Sequence, residues 1–182
     1  VKLLILAYHR FELWNAPTWF PERLRADFPQ LEVAHLTSYD DIARELPTTD
    51  IFIGWSLKPE QLALAKKLRW IYSPAAAVHG LLSPELAATD IVVTNASPVH
   101  GPVVAEHALA LMLALAKRIP QAVHYQDQRT WAQQLLWDES PRPRELCGST
   151  LALIGFGEIG RTVARLALAF GMTTLVVREH PE

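Results

Sequence analysis

Short apolar runs alternate along the chain with stretches whose apolar residues recur at helical spacing. Residues 3–8 (LLILAY) predict a first buried strand. Thr18 offers a helix N-cap, and the pattern stays helical through Leu24. Residues 31–36 predict a second strand, and Ser38 with Asp41 three residues on predicts a capping box that opens a helix running to Leu46. Residues 51–55 predict a third strand. Pro59 stands where a first helical turn tolerates proline, ahead of an apolar face of Leu62, Leu64, Ala65 and Leu68. Residues 70–72 and 91–94 complete the strands, with a short helix over 84–88 between them. Continuous apolar strands alternating with helices predict a parallel sheet covered on both faces, so residues 1–98 are read as one α/β unit.

Residues 99–182 are read as the start of a second unit. It opens with a helix over 102–118 that is apolar nearly all round and therefore needs burial on several sides, by its own domain or by a partner chain. Pro120 is expected to end it. A helix and a surface loop follow through residue 144, then a strand over 150–154, a helix over 159–170 and a strand over 174–177.

The junction of that strand and helix carries G-x-G-x-x-G, a weak pattern alone but one placed here in its strand–turn–helix context. Gly155 would permit the tight turn, Gly157 would let a pyrophosphate approach the backbone, and Gly160 would let helix and strand pack closely. The helix N-terminus would offer free N–H groups and its positive dipole end to the phosphates. These residues predict a dinucleotide cofactor. About 20 positions on, an acidic residue would suit the ribose hydroxyls of NAD. Arg178 stands there instead and suits the 2′-phosphate of NADP, so NADP is favoured over NAD. Glu179 could take the acidic role after a one-residue shift.

Composition changes this picture little. The 182 residues are half hydrophobic, enough for a real core, and the net charge of -2 comes without a basic block, which argues against nucleic acid. The longest apolar run, residues 108–116, falls far short of the roughly 20 residues of a membrane span. The N-terminal run lacks a long apolar region and a cleavage site, and reads as a strand rather than a signal peptide. The lone Cys147 excludes an internal disulfide and fits a reducing compartment, so a cytoplasmic location is expected. No metal site is read.

Several of these features together resemble the D-isomer-specific 2-hydroxyacid dehydrogenase family. They are Asn95-Ala96, VAEH (104–107), LCGSTLALIGFGEIG (146–160), AFGM (169–172) and WIYSPAAAV (70–78). The resemblance implies a flavodoxin-like parallel-sheet substrate domain followed by the first part of a Rossmann NAD(P)-binding domain, with the active site in a cleft between the two. It implies hydride transfer to a small 2-keto acid of the glyoxylate or hydroxypyruvate type, and a homodimer through helix 102–118. Ala76, Ala77 and Val78 would offer backbone N–H groups to the substrate carboxylate, although the family often has glycine where Ala77 stands. Glu158 and Ile159 would lie over the pyrophosphate, and Val104 would pack near the nicotinamide.

The family's catalytic arginine, acid and histidine lie beyond the second strand of the cofactor domain. The chain is expected to stop before them, so no residue here is named as catalytic and this form is expected to be inactive. His9, His35, His79, His100, His107, His124 and His180 match no such motif; His79 and His100 could line the cleft. His107 follows Glu106, but neighbours on a helix point apart. Asp40-Asp41 reads as a helix start rather than an acid–base pair. Two other readings stay open: a non-catalytic cofactor-binding or dimerisation module, as in corepressors that resemble the family, and formate- or phosphite-type oxidation within the wider superfamily.

Overall fold

The computed structural model describes residues 1–179, so His180 lies outside the described residues. The chain divides into two compact units, residues 1–97 and 98–182.

The first unit is a five-stranded, all-parallel sheet in the order β2-β1-β3-β4-β5. Its strands are β1 (Lys2–Leu6), β2 (Glu32–His35), β3 (Ile51–Gly54), β4 (Trp70–Ser73) and β5 (Val92–Asn95). That order is the flavodoxin-like one, with its switch of winding direction between β1 and β3. The helices are α1 (Trp19–Asp27), α2 (Ile42–Glu45), α3 (Pro59–Leu62) and α4 (Pro84–Ala87). Side chains alternate across the strands and both faces are covered, which is why the strands read as unbroken apolar runs. Leu4, Leu6, Phe52 and Ile71 pack on one side with Ile42, Leu46, Leu68, Leu81 and Leu86. Leu3, Ile5 and Ile53 pack on the other with Phe20, Leu24 and Val33. Those that are fully buried, such as Leu4, Ile5 and Phe52, contribute roughly 1.5–3 kcal/mol each, and Phe20, Leu24 and Val33 are only partly buried.

Three local expectations need correction in this unit. The Ser38–Asp41 capping box does not form. Ser38 Oγ bonds instead with the Asp40 carboxylate and N–H, and α2 starts only at Ile42 without a side-chain cap. Short polar side chains compete for backbone groups in this way. Thr18 precedes α1 but makes no capping hydrogen bond. The helix after Pro59 is a single turn, and Leu64, Ala65 and Leu68 belong to the turns after it.

The second unit contains α5 (Ser97–Ala116), α6 (Ile119–Asp127), α7 (Gln133–Asp138), β6 (Thr150–Ile154), α8 (Glu158–Ala169) and β7 (Thr173–Val177). Strands β6 and β7 pair in parallel. Helices α5 and α8 share a core on one side of them: Ala105, Leu109 and Val163 with Leu151 and Leu153, and Ala116, Ala167 and Met172 with Leu146. The other side is open, with Ile154, Leu175 and Val177 more than half exposed.

Helix α5 starts five residues earlier than its pattern predicts, so Pro98 stands in its first turn and Pro102 lies inside it. It ends at Ala116 because Arg118 takes a left-handed conformation (φ 56°), and Pro120 opens α6 rather than closing α5. A proline in a first turn forfeits no helical bond. The Arg118 guanidinium is buried against the Glu139 carboxylate (2.8 Å), to which the Tyr125 hydroxyl also donates, and this fixes the corner between α5, α6 and α7. By length and hydropathy alone the 20-residue α5 is long enough to cross a membrane, which the shorter run counted in the sequence did not suggest.

Candidate functional site: a glycine-rich loop and a strand-end amide loop

In the second unit, β6 hands the chain to α8 through residues 155–157. The three glycines differ in what they permit. Gly155 has φ +91°, a left-handed conformation that favours glycine. At Gly160 an added Cβ would lie 2.6 Å from the Gly155 carbonyl oxygen, so the helix can sit this close only without a side chain there. A Cβ at Gly157 would meet nothing within 4 Å, and its backbone is extended (φ -78°), a conformation any residue adopts. Neither fold nor backbone geometry demands glycine at 157, whereas a ligand approaching the main chain would.

Among the described residues, no acceptor takes the N–H of Phe156 or Gly157. The first turn of α8 adds the unpaired N–H groups common to helix starts. The Glu158 carboxylate is turned onto Arg161 (2.7 Å), whose guanidinium also donates to the Phe156 carbonyl (3.1 Å). This clasp neutralises an acid that would otherwise repel a phosphate beside the loop. The sequence reading missed Arg161; a base three residues after an acid in a helix's first turn was its signal. Ile159 is partly exposed.

The end of β7 meets the same loop. Val177 pairs with Ile154, and its carbonyl accepts from Gly155 N–H (2.8 Å). Arg178 follows directly and is exposed. Val104 lies on α5 with an exposed side chain. Close packing of α5 on α8 is visible at Gly101, where a Cβ would lie 3.4 Å from the Glu158 carbonyl and the Thr162 hydroxyl. A surface cavity of about 650 Å³ lies against α6 and α7, lined by Ala122, Gln126, Trp131 and Leu136 among others, and includes no residue of the glycine loop.

In the first unit, the loop after β4 contains Ala76, Ala77 and Val78. No acceptor among the described residues takes their N–H groups. The loop is held from beneath. Buried Ser73 accepts from Ala75 N–H (3.3 Å), and the Asn95 amide donates to the Ala76 carbonyl (2.7 Å). Val78 C=O accepts from Leu81 and Leu82, and Leu81 is buried. The motif alone does not show the Asn95 brace, because it depends on β4 and β5 being neighbours. Ala77 is not among the described non-glycine residues with positive φ, so alanine sits there without strain.

His79 and His107 are exposed, and burial, then the Arg25 charge, holds His35 below its ordinary value. Asp40 and Asp41 are exposed at the start of α2.

Comparison with known proteins decides the family. Residues 109–182 match the family model described as D-isomer specific 2-hydroxyacid dehydrogenase, NAD binding domain. A hydroxypyruvate reductase of Thermotoga maritima is 33% identical over 148 residues, covering 79% of this chain and 46% of the relative. The chain belongs to the D-isomer-specific 2-hydroxyacid dehydrogenase family. A glyoxylate reductase of Thermococcus kodakarensis is 32% identical over 138 residues, covering 72% of this chain and 40% of the relative. A crystal structure of a member of this dehydrogenase family from Aeromonas salmonicida superposes with a TM-score of 0.75 at 28% identity, over 97% of this chain and 53% of that one. The chain thus spans less than half the length of these two curated relatives and about half of that structure.

Proposed function

We propose that this 2-hydroxyacid dehydrogenase chain belongs to an oxidoreductase that reduces a small 2-keto acid with NADPH in preference to NADH. The observation that carries the reading is Gly157: a glycine that neither packing nor φ requires, between unpaired N–H groups at the start of α8. Gly155, Gly157, Glu158, Ile159 and Gly160 would hold the pyrophosphate, Arg178 the 2′-phosphate, and Val104 would flank the nicotinamide. The free N–H groups of Ala76, Ala77 and Val78 suit a substrate carboxylate. A bound nicotinamide would supply the hydride; the residues named here bind and orient.

None of the chain's histidines is assigned proton transfer, so we propose cofactor binding without turnover for the 182-residue form. NADPH is expected to bind the chain and stay unoxidised with hydroxypyruvate or glyoxylate; turnover above a protein-free control would contradict this. Arg178→Ala is expected to weaken NADPH binding about ten- to a hundredfold, the worth of charge-assisted hydrogen bonds at roughly 1.5–3 kcal/mol. NADH binding should change less than about twofold, and an equal loss for both cofactors, or none for either, would contradict a 2′-phosphate role for Arg178.

The exposed stripe Val103, Leu111 and Leu115 on α5 supports a homodimer through this helix. Sedimentation is the check: Leu111→Glu with Leu115→Glu is expected to turn a dimer into a monomer, and a wild-type monomer at high concentration would contradict the proposal. The hydroxypyruvate and glyoxylate reductases among the relatives make those two acids the reference substrates. We propose a cytoplasmic location as well, in keeping with the single cysteine, Cys147.

A further inference from the structure

Arg161 holds the glycine loop in more than one place. Its main-chain N–H donates to the Gly157 carbonyl (2.9 Å). Its guanidinium donates to the Phe156 carbonyl (3.1 Å) and to the Glu158 carboxylate (2.7 Å). One residue thus grips the peptide on each side of Gly157.

Peptide planarity turns that grip into a direction. Across a trans peptide the N–H points opposite to the C=O. The one cis peptide among the described residues is Ser140–Pro141, so both peptides beside Gly157 are trans. With the Phe156 C=O drawn to the Arg161 guanidinium, the Gly157 N–H is aimed away from it, and no acceptor among the described residues takes that N–H. With the Gly157 C=O bonded to the Arg161 N–H, the Glu158 N–H is aimed outward as well.

The grip matters because Gly157 is the loop's least constrained point. A Cβ there would meet nothing within 4 Å, and a glycine backbone visits many conformations. Without a bond to its carbonyl, the 156–157 peptide is free to turn over and carry its N–H away from a ligand. The glycine that lets a pyrophosphate approach therefore costs order, and Arg161 restores it. The Arg161 side chain is about half exposed, and Glu158 pins the second arm of its planar fork.

We infer that Arg161 is a positioning residue for the cofactor: it acts through the Phe156–Gly157 peptide, whose N–H it aims at the pyrophosphate, and Glu158 orients it. The inference rests on the dinucleotide reading above and names the residue that preorganises that site. The pyrophosphate is common to NADPH and NADH, so the effect falls on both alike, unlike that of Arg178.

The test is calorimetric titration of NADPH and NADH into the intact chain, beside ¹⁵N relaxation of the Gly157 amide without cofactor. Arg161→Ala is expected to weaken both cofactors about five- to thirtyfold, the worth of fixing one residue's backbone. The Gly157 order parameter should fall from about 0.85 to below about 0.6. The amides within α8 should keep theirs, because the main-chain bond from residue 161 to Gly157 survives the change. Glu158→Ala should also weaken both cofactors, about two- to fivefold, the worth of an exposed ion pair. A guanidinium that itself bound phosphate would be freed by that change, and binding would tighten. Arg165→Ala, exposed one turn further along α8, removes the same charge and should alter neither affinity by more than about twofold. Unchanged affinity or an ordered Gly157 amide in Arg161→Ala overturns the positioning role. So does tighter binding in Glu158→Ala, or a loss in Arg165→Ala equal to that in Arg161→Ala. A wild-type chain that binds neither cofactor overturns the dinucleotide reading and this inference with it.

Discussion

Gly157→Val is expected to leave the chain folded and to weaken NADPH binding about a hundredfold or more. The two halves of that expectation have separate causes. The added side chain enters space with no protein atom within 4 Å of its Cβ, on an extended backbone that β-branched residues accept. Valine caps a helix less well than glycine, so stability should fall by no more than about 1 kcal/mol. The same side chain stands where a pyrophosphate would reach the main chain. Losing even two charge-assisted hydrogen bonds, at roughly 1.5–3 kcal/mol each, accounts for the lost affinity. Thermal unfolding beside a cofactor titration checks both halves. A variant that binds as well as the wild type would mean that the loop is only a turn.

Gly160→Val is expected to do the reverse and act on the fold itself. Its Cβ would lie 2.6 Å from the Gly155 carbonyl oxygen, a backbone atom that cannot swing aside. Overpacking costs typically 1–3 kcal/mol, and the side chain's return in helix propensity is only about half a kcal/mol. The second unit has one open sheet face and little reserve. We expect a net loss of about 2 kcal/mol, seen as an earlier denaturation midpoint. A midpoint equal to the wild type would mean that α8 can move away from β6 at no cost.

The contrast between these glycines also shows what could be read before any coordinates. The motif's register was legible, and β6 runs over Thr150–Ile154 as its apolar pattern predicts. The strands of the first unit differ from the pattern only at their ends, because their two buried faces left unbroken apolar runs. What stayed hidden depended on neighbours distant in sequence. Asn95 braces Ala76 across 19 residues, and Trp55 reaches Trp14 across 41. Local polar choices misled as well. Ser38 with Asp41 has the spacing of a capping box, yet Ser38 turned to Asp40 next to it. The sequence pattern puts the start of α5 at Pro102 and its end before Pro120. Earlier residues set the true boundaries: Ser97 begins α5, and left-handed Arg118 breaks the chain before α6.

The central claim is that residues 155–160 form a dinucleotide site and not merely a tight turn. Calorimetric titration of NADPH and NADH into the wild-type chain and into Gly157→Val tests it most directly. Saturable binding of both cofactors to the wild type is expected, NADPH the tighter, with loss of both in a variant that unfolds at a nearly unchanged temperature. A folded wild-type chain that takes up neither cofactor, or a Gly157→Val chain that binds both as before, would contradict it.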